Sequence, residues 1–314
     1  MTNIALPLFG HDAAQAEFLS ARDSGRLHHA WIVEGPSGIG KARFVTRLAS
    51  ILLGAQPSGD DPAGAPEDDP VIQKILSEGH PDLKHVQREL NEKGNLKQDI
   101  SVDQIRELNA FFSLKPALGG WRIGIIDSLD EMNANGLNAV LKTLEEPPAK
   151  ALLFLIFHAT TPILPTIRSR CQTLRLRALG PVDTLAVLNQ NGIENADQTA
   201  GLVKGRPGRA EQLTGPKTLA ASVAARDLLK AMPSANEAVL SNALLKAGED
   251  DTTFRVFASE ILSWLEAKSG QEPSWSDVWY ESQHILAEQR NLHLTALQAA
   301  SKMLGSLQSA FDTR

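Results

Sequence analysis

The sequence predicts a parallel α/β domain followed by a region made only of helices. Two short apolar runs, 122–126 and 151–157, flank a segment whose apolar residues have helical spacing. A strand–helix–strand succession of this kind forms a parallel sheet. A third apolar strand, 31–34, leads into a glycine-rich loop, and from residue 217 onward apolar residues recur at helical spacing. These patterns favour one sheet-based domain and a further helical domain.

The composition of the chain is that of a globular protein with about two domains. It has 314 residues, of which 42% are hydrophobic and 22% are charged. The net charge of −6 argues against a DNA-binding surface spread over the whole chain. The longest apolar run is too short to span a bilayer, and the first residues do not form a secretory signal. The single cysteine, Cys171, excludes an internal disulfide and a multi-cysteine zinc site, and we expect a cytosolic protein.

The glycine-rich loop has the spacing of a phosphate-binding loop. Residues 35–41 read GPSGIGK, which fits the G-x-x-x-x-G-K pattern between a strand and a helix predicted at 42–53. Glycines let backbone N–H groups turn toward phosphate, and the lysine reaches the outer phosphates. Ala42 stands where the pattern requires a hydroxyl that ligates Mg²⁺, which leaves binding of ATP or ADP open. The candidate phosphate-binding residues are Gly35, Gly38, Gly40 and Lys41.

Asp127 directly follows the apolar run 122–126, at the carboxyl end of a predicted buried strand. Ligands of open parallel sheets lie at that end, so Asp127 is a candidate ligand-binding residue. The next helix ends at the proline pair 147–148, because proline cannot continue the helical hydrogen bonds. Its apolar face is formed by Leu137, Val140, Leu141 and Leu144.

Three other segments have clear local patterns. Residues 54–70 are rich in glycine, proline and acid without hydrophobic periodicity, which predicts a loop or a disordered insertion. Residues 99–114 form a predicted helix, with Ser101 as N-cap and Gln104 completing a capping box. Predicted helices also lie near 217–231, 235–247, 252–268, 274–290 and 293–311, with Trp264, Trp275 and Trp279 as core residues rather than interface anchors.

The segment 165–177 carries four arginines and no acid: Arg168, Arg170, Arg175 and Arg177. Such a cluster is either a solvated strand edge or a positive face directed at the phosphates of a nucleotide or nucleic acid. The residues alone leave both interpretations open.

Two short sequence motifs carry a family resemblance. Residues 138–148 read NAVLKTLEEPP, and residues 169–171 read SRC. With GHDAA at 10–14 and HAW at 29–31, they make the chain similar to the AAA+ clamp-loader subunits of bacterial DNA polymerase III, above all to the delta-prime family. The resemblance implies an AAA+ P-loop domain at 1–178, a small helical lid at 179–215 and an all-helical oligomerisation collar at 216–314.

The resemblance also implies a nucleotide site that has lost parts. Asp127 matches the family's Walker B aspartate. In active AAA+ ATPases a glutamate comes next, whereas this chain has Ser128 there, and Asp130 and Glu131 are expected beyond the strand end. The missing glutamate carboxylate and the hydroxyl missing at Ala42 would both act on the same transition state. We therefore expect no useful ATP hydrolysis by this chain.

Three more site positions follow from the resemblance. Arg170 of SRC matches an arginine finger, which reaches the γ-phosphate held by a neighbouring ATPase subunit. From the residues alone, an ion pair with a local carboxylate explains Arg170 as well. Thr160 or Thr161 matches the sensor-1 position. The sensor-2 position falls on Gly208 or Arg209, where a helix start with solvent-facing arginines is an equal alternative.

The implied function is that of a rigid delta-prime subunit of the clamp loader. It joins gamma/tau and delta subunits in a hetero-pentamer that loads the sliding clamp on primed DNA during replication, without polymerase activity of its own. Many delta-prime relatives carry a four-cysteine zinc module near 54–70, but this chain has no cysteine there, so no zinc is expected. The alternatives are an ATP-hydrolysing gamma/tau-type subunit, against which Ala42 and Ser128 argue, and an AAA+ protein of DNA repair.

Overall fold

The structure, a computed structural model, describes residues 4–59, 61–91, 96–97, 99–158, 163–213, 215–291 and 294–312. Contacts within the chain divide it into two compact units, Met1–Gly208 and Arg209–Arg314. The three-part division at 178 and 215 stays a prediction.

The first unit is built around one parallel sheet with the strand order β2-β3-β4-β1-β5. Helices and strands alternate along the chain, as the sequence predicts for a parallel α/β domain. The elements are α1 (Asp12–Asp23), β1 (Ala30–Glu34), α2 (Lys41–Leu52), α3 (Pro70–Leu76), β2 (Leu83–Gln87), α4 (Val102–Ser113), β3 (Arg122–Asp127), α5 (Ala134–Glu145), β4 (Ala151–Phe157), α6 (Pro165–Arg168), β5 (Gln172–Arg175), α7 (Pro181–Gln190) and α8 (Ala196–Val203).

Both faces of the sheet are covered, which explains the continuous apolar runs. Every residue of β4 is buried, and its side chains alternate between two cores. Phe154 packs with residues of α1 and α2, such as Phe18 and Phe44. Leu153 packs on the opposite face with residues of α4 and α5, such as Val140. The sheet is therefore a fixed platform for the loops at its two edges.

Local signals fix several helix ends. At the start of α4, the Ser101 side chain accepts from the backbone N–H of Gln104 and the Gln104 side chain accepts from the Ser101 N–H, which confirms the capping box. Asn133 caps α5 by accepting from the Gly136 N–H. The same helix ends at Glu145, two residues before the first proline of the 147–148 pair.

The acidic segment 54–70 is a loop in its described part, which is one of the two predicted alternatives. Arg47 of α2, only 2% exposed, pairs with Asp61 and also donates to the carbonyls of Ile4 and Leu6. Asp69 accepts from two N–H groups at the start of α3, which the sequence did not predict. The acidic residues of this segment thus serve partly as internal partners.

The second unit consists of helices, and its described residues include no strand. Phe254, Phe257, Ile261 and Leu265 are all buried in its core, as their spacing predicts. Trp275 is buried there, which confirms it as a core residue, whereas Trp264 and Trp279 are partly buried and pack against the same core. The helices are α9 (Ala210–Leu213), α10 (Pro216–Ala231), α11 (Glu237–Ala247), α12 (Asp251–Ser269), α13 (Ser276–Asn291) and α14 (Ala296–Asp312).

The predicted fold class, a parallel α/β domain followed by an all-helical region, is confirmed. Within the described residues, every helix is too short or too polar to cross a lipid bilayer.

Candidate functional site

The predicted phosphate-binding residues meet the Walker-type aspartate at the carboxyl edge of the sheet. β1, β4 and β3 are neighbours, and the loop 35–40, His158 and Asp127 stand at their carboxyl ends. This is the edge where open parallel sheets hold ligands. Gly35 is required at the start of the loop, because a Cβ there would overlap the carbonyl oxygen of Leu176.

Lys41 closes the phosphate loop on itself. Its ammonium group donates to the carbonyls of Gly35 at 2.5 Å and of Pro36 at 2.6 Å, and the residue is 3% exposed. An ammonium group has three N–H donors, so one donor remains for a phosphate oxygen. The loop is therefore held in a defined shape with its lysine inside.

Two further contacts support the loop from outside. The imidazole Nε2–H of His11 donates to the Ile39 carbonyl at 3.1 Å, and burial lowers the pKa of His11 below its usual value. The backbone N–H of Gly208 donates to the Gly38 carbonyl at 2.9 Å. A Cβ at Gly208 would lie 3.1 Å from the Gly38 Cα, so this close approach favours glycine. These contacts use carbonyl groups and do not engage the loop N–H groups, of which that of Gly35 donates to the Phe157 carbonyl at 3.2 Å.

The interior of the site contains one ammonium group and two carboxylates. Burial lowers the pKa of Lys41 to about 8, although Asp130 and Asp127 act in the opposite direction. Burial raises the pKa of Asp127 above its usual value, with Lys41 opposing and Asp130 adding to the shift. The charges of Asp127 and Asp130 thus act on Lys41, although burial has the larger effect on its pKa.

Asp130 lies beyond the end of β3, as expected, but its return to the site was not predicted from the sequence. Residues Leu129–Glu131 form a 3-10 turn, which folds the chain back toward the sheet. The Asp130 carboxylate accepts from the backbone N–H of His158 at 2.6 Å. A carboxylate three residues after a strand-ending aspartate was the available signal, because a 3-10 turn brings residues i and i+3 to one side.

His158 lies at the end of β4 beside these groups. Its Nδ1 is buried and has no hydrogen-bond partner within the described part of the chain, and burial together with Lys41 lowers its pKa to about 4. A neutral imidazole is therefore expected at physiological pH. Thr160, the predicted sensor-1 residue, lies outside the described residues, as does Thr161.

The positions that the sequence predicts to be defective are inside the site. Ser128 is fully buried, and its hydroxyl has no hydrogen-bond partner among the described residues. Ala42 is the second residue of α2, where its methyl group offers nothing to a metal ion. The described residues include no group of three histidine, cysteine or acidic side chains that could hold a metal ion.

Arg170 lies toward the other edge of the sheet. β5 begins two residues later at Gln172, in register with Trp31 near the start of β1, while Arg175 is in register with Glu34 at its end. The phosphate loop follows Glu34, so about three residue rises along the strand, roughly 10 Å, separate the level of Gln172 from that of the loop. The structure thus does not bring Arg170 together with the phosphate-binding residues.

Comparison with known proteins decides the family. A family model described as DNA polymerase III, delta subunit, matches residues 10–180, which is more than half of the chain. A subunit delta' from Pseudomonas aeruginosa is 34% identical over 191 residues, covering 60% of this chain and 56% of that protein. This chain belongs to the delta-prime clamp-loader family of DNA polymerase III.

A gamma/tau subunit and a solved structure are also similar to this delta-prime family member. A subunit gamma/tau from Mycobacterium bovis is 32% identical over 200 residues, which cover 62% of this chain and 33% of that protein. A gamma subunit-related protein from Thermotoga maritima superposes with a TM-score of 0.43 at 16% identity, covering 93% of this chain and 98% of that one. The chain spans little more than half the length of the delta' relative from Pseudomonas aeruginosa.

Three other candidate arginines of the delta-prime chain, Arg168, Arg175 and Arg209, lie near its own carboxylates. Arg168 and Arg175 both approach the Glu34 carboxylate, at 3.5 Å and 3.9 Å. Arg209, one of the two sensor-2 candidates, is buried and donates to Glu260 of α12 at 3.2 Å. The alternative of a solvent-facing arginine at Arg209 is therefore wrong.

Cys171, the last residue of the SRC motif in this delta-prime chain, is a half-buried free thiol that packs beside the core under α5. Burial raises the pKa of Cys171 to about 12. The thiol is therefore protonated at neutral pH and is a weak nucleophile.

Proposed function

We propose that this chain acts as the rigid delta-prime subunit of a DNA polymerase III clamp loader. In this proposal it joins gamma/tau and delta subunits in a hetero-pentamer, which loads the sliding clamp on primed DNA during replication. Its own contribution to ATP hydrolysis is Arg170, which reaches the γ-phosphate bound by a neighbouring subunit. Polymerase chemistry belongs to other subunits of the holoenzyme.

The position of Arg170 at the far edge of the sheet carries this proposal. Its contacts are with Glu145, Thr166 and Ser169, none of which belongs to the phosphate loop. The side chain keeps 36% of its surface exposed. A guanidinium group presents a planar set of donors and stays charged at all physiological pH values, so it suits a phosphate bound by another chain.

The chain's own nucleotide site supports the same proposal. Gly35, Gly38, Gly40 and the remaining N–H of Lys41 suit a phosphate group, and Asp127, whose charge acts on Lys41, would hold a metal ion that accompanies it. ATP bound here would bring the γ-phosphate of phosphoryl transfer, and an accompanying Mg²⁺ would neutralise its charge. Because Ala42 and Ser128 lack the metal-ligating hydroxyl and the base, we propose that this site holds ATP or ADP without hydrolysing it.

The test is Arg170→Ala in a reconstituted clamp loader, with Arg168→Ala as the matched control from the same segment. An arginine finger contributes a factor of about 10³–10⁵ to phosphoryl transfer, so hydrolysis at the adjoining site should stop on the assay timescale. DNA-stimulated ATP hydrolysis and clamp loading should both fall with Arg170→Ala and stay near normal with Arg168→Ala. Unchanged hydrolysis and loading in the Arg170 variant would end the proposal.

An ATP-hydrolysing gamma/tau-type subunit is the second candidate. It is favoured by the well-formed Lys41 loop and by Asp130, which adds a carboxylate to the interior of the site. However, Asp130 already accepts the His158 N–H, so it is held to β4 rather than free to orient water. Purified chain with ATP and Mg²⁺ should show no turnover above background. Turnover at the rate of an AAA+ motor would favour this second candidate.

A further inference from the structure

We propose that Glu145 is a positioning residue for Arg170, which orients the guanidinium group toward the neighbouring subunit. The inference rests on the proposed function, because it concerns how the same arginine is aimed. It also connects the two motifs of the family resemblance, because the last helical residue of NAVLKTLEEPP touches the arginine of SRC.

Two contacts on different nitrogens hold the guanidinium plane. Nη2 of Arg170 lies 2.9 Å from Oε1 of Glu145. Nη1 donates to the Thr166 carbonyl at 2.9 Å, with the Ser169 hydroxyl at 3.4 Å. A planar group fixed at two of its three nitrogens cannot rotate about its last bonds without losing one contact. The Glu145 carboxylate is the only one of these partners that carries charge.

The backbone of both partners is tied to the sheet. α5 ends at Glu145, and the preceding residue, Leu144, is buried and accepts from the Nε2–H of His29 at 3.1 Å, just before β1. On the other side, Arg170 lies between the fully buried Ile167 and the start of β5. Because neither backbone is on a long free loop, the ion pair mainly orders the Arg170 side chain itself.

The pair leaves Arg170 able to bind a phosphate. A guanidinium group has five N–H donors, and the contacts to Glu145, Thr166 and Ser169 use at most three of them. Both side chains are partly exposed, so the carboxylate is well hydrated and holds the arginine only weakly. Glu145 can therefore keep one edge of the guanidinium while another edge faces a phosphate.

Glu146, in the same NAVLKTLEEPP motif, provides a matched control. It carries the same charge one residue further on, at the C-cap of α5, and it is also exposed. In the described part of the chain it makes no ion pair, in contrast to Glu145. Glu146→Ala therefore removes one negative charge from the same surface without touching the guanidinium.

The experiment is a double-mutant cycle of Glu145→Ala and Arg170→Ala in the reconstituted clamp loader, with Glu146→Ala beside it. The readout is the kcat and KM of ATP in DNA-stimulated hydrolysis. Since exposed ion pairs contribute up to about 1 kcal/mol, Glu145→Ala should lower kcat about threefold to fivefold. KM should stay within about twofold, because an arginine finger acts in the transition state. Glu146→Ala should match the wild type.

The cycle separates positioning from other roles. If Glu145 acts through Arg170, Glu145→Ala has no further effect once Arg170 is alanine. An equal loss in that background, an unchanged kcat, or a faster rate would each overturn the inference. Assembly and thermal unfolding of every variant show whether a loss is one of folding. If Arg170→Ala is itself silent, the proposed function fails; if only Glu145→Ala is silent, the positioning role alone fails.

Discussion

Lys41 and Arg170 are the two cationic side chains that the proposed function uses, and their surroundings are opposite. Lys41 is almost fully buried, donates to two carbonyls of its own loop, and has its pKa lowered to about 8 by burial. Arg170 is partly exposed and held by one ion pair and by neighbouring backbone and hydroxyl oxygens. One cation is enclosed within its own chain, and the other is presented outward.

This difference in burial determines which ligands each cation can reach. A buried ammonium interacts strongly with whatever shares its low-dielectric site, but only a ligand that enters that site can reach it. An exposed guanidinium interacts weakly with its own chain and can exchange water for a phosphate of another chain at low cost. The four predictions below break or sharpen this comparison.

The largest effect is expected for Arg170→Lys in the reconstituted clamp loader. Lysine keeps the positive charge but loses the planar set of donors, so hydrolysis at the adjoining site should fall on the order of 10²-fold. The measurement is single-turnover ATP hydrolysis with primed DNA. Arg175→Lys, in the same basic segment, should be neutral. Full activity of Arg170→Lys would show that charge alone suffices and that the guanidinium geometry is irrelevant.

The ion pair of the buried Arg209 with Glu260 should affect the stability of the chain rather than catalysis. Glu260 is 1% exposed and accepts from Arg209, Arg226 and Ser222. Burial raises the pKa of Glu260, but Arg226 and Arg209 outweigh it and hold this pKa below its usual value. Glu260→Gln should remove the buried negative charge to which both guanidinium groups donate and lower the free energy of unfolding by about 3–5 kcal/mol.

Urea unfolding at pH 7 measures this change, with the exposed Glu266→Gln on the same helix as control. Because the folded pKa of Glu260 is lowered, its stabilisation is present above the unfolded pKa and is lost as the pH falls through the folded pKa. The loss caused by Glu260→Gln should therefore shrink in acid. A loss below 1 kcal/mol at pH 7 would contradict the buried-charge explanation.

Lys41 should give the folded chain a stability that increases in alkali. The pKa of Lys41 is about 8 in the folded chain and 10.5 in the unfolded chain, so between these pH values only the unfolded chain keeps the proton. The free energy of unfolding should rise with pH over this window, by up to about 3 kcal/mol. Lys41→Met should lack this rise in urea unfolding from pH 7.5 to 10, while clamp-loader ATP hydrolysis stays within about twofold of wild type. Parallel pH curves for the two proteins would contradict it.

The smallest effect is expected for the stability of the exposed pair. Glu145→Ala should change the free energy of unfolding by less than about 1 kcal/mol, because both side chains stay hydrated. Chemical denaturation at low and at high salt measures it, and salt should reduce the difference further. A loss of several kcal/mol would mean that this surface pair is structural, and the contrast with Lys41 would disappear.

The sequence predicted the elements well wherever a physical period was present. The fully buried β4, the capping box at Ser101 and the helical core around Phe257 follow from apolar runs, a side-chain hydrogen bond and 3.6-residue spacing. α3 was missed because it is short and its start depends on the Asp69 cap after a proline-rich loop. Short elements leave too little periodicity to recognise.

The candidate site was predicted less completely, because its assembly depends on tertiary contacts. Spacing alone placed the Lys41 loop and Asp127 at one edge of the sheet. It could not show that Asp130 returns to β4 through a 3-10 turn, or that Arg209 has a buried partner 51 residues away in Glu260. Nor does the distance along the chain between Glu145 and Arg170 reveal that the two side chains touch.

The protonated state of Cys171 has a practical consequence for spectroscopy. Thiol-directed dyes react with thiolates, and the thiol with a pKa of about 12 supplies almost none at neutral pH. A cysteine introduced on the exposed surface near residue 145 would therefore take up a fluorophore selectively in the presence of the native thiol. Energy transfer from that label could follow, in real time, how this edge of the sheet approaches another polypeptide.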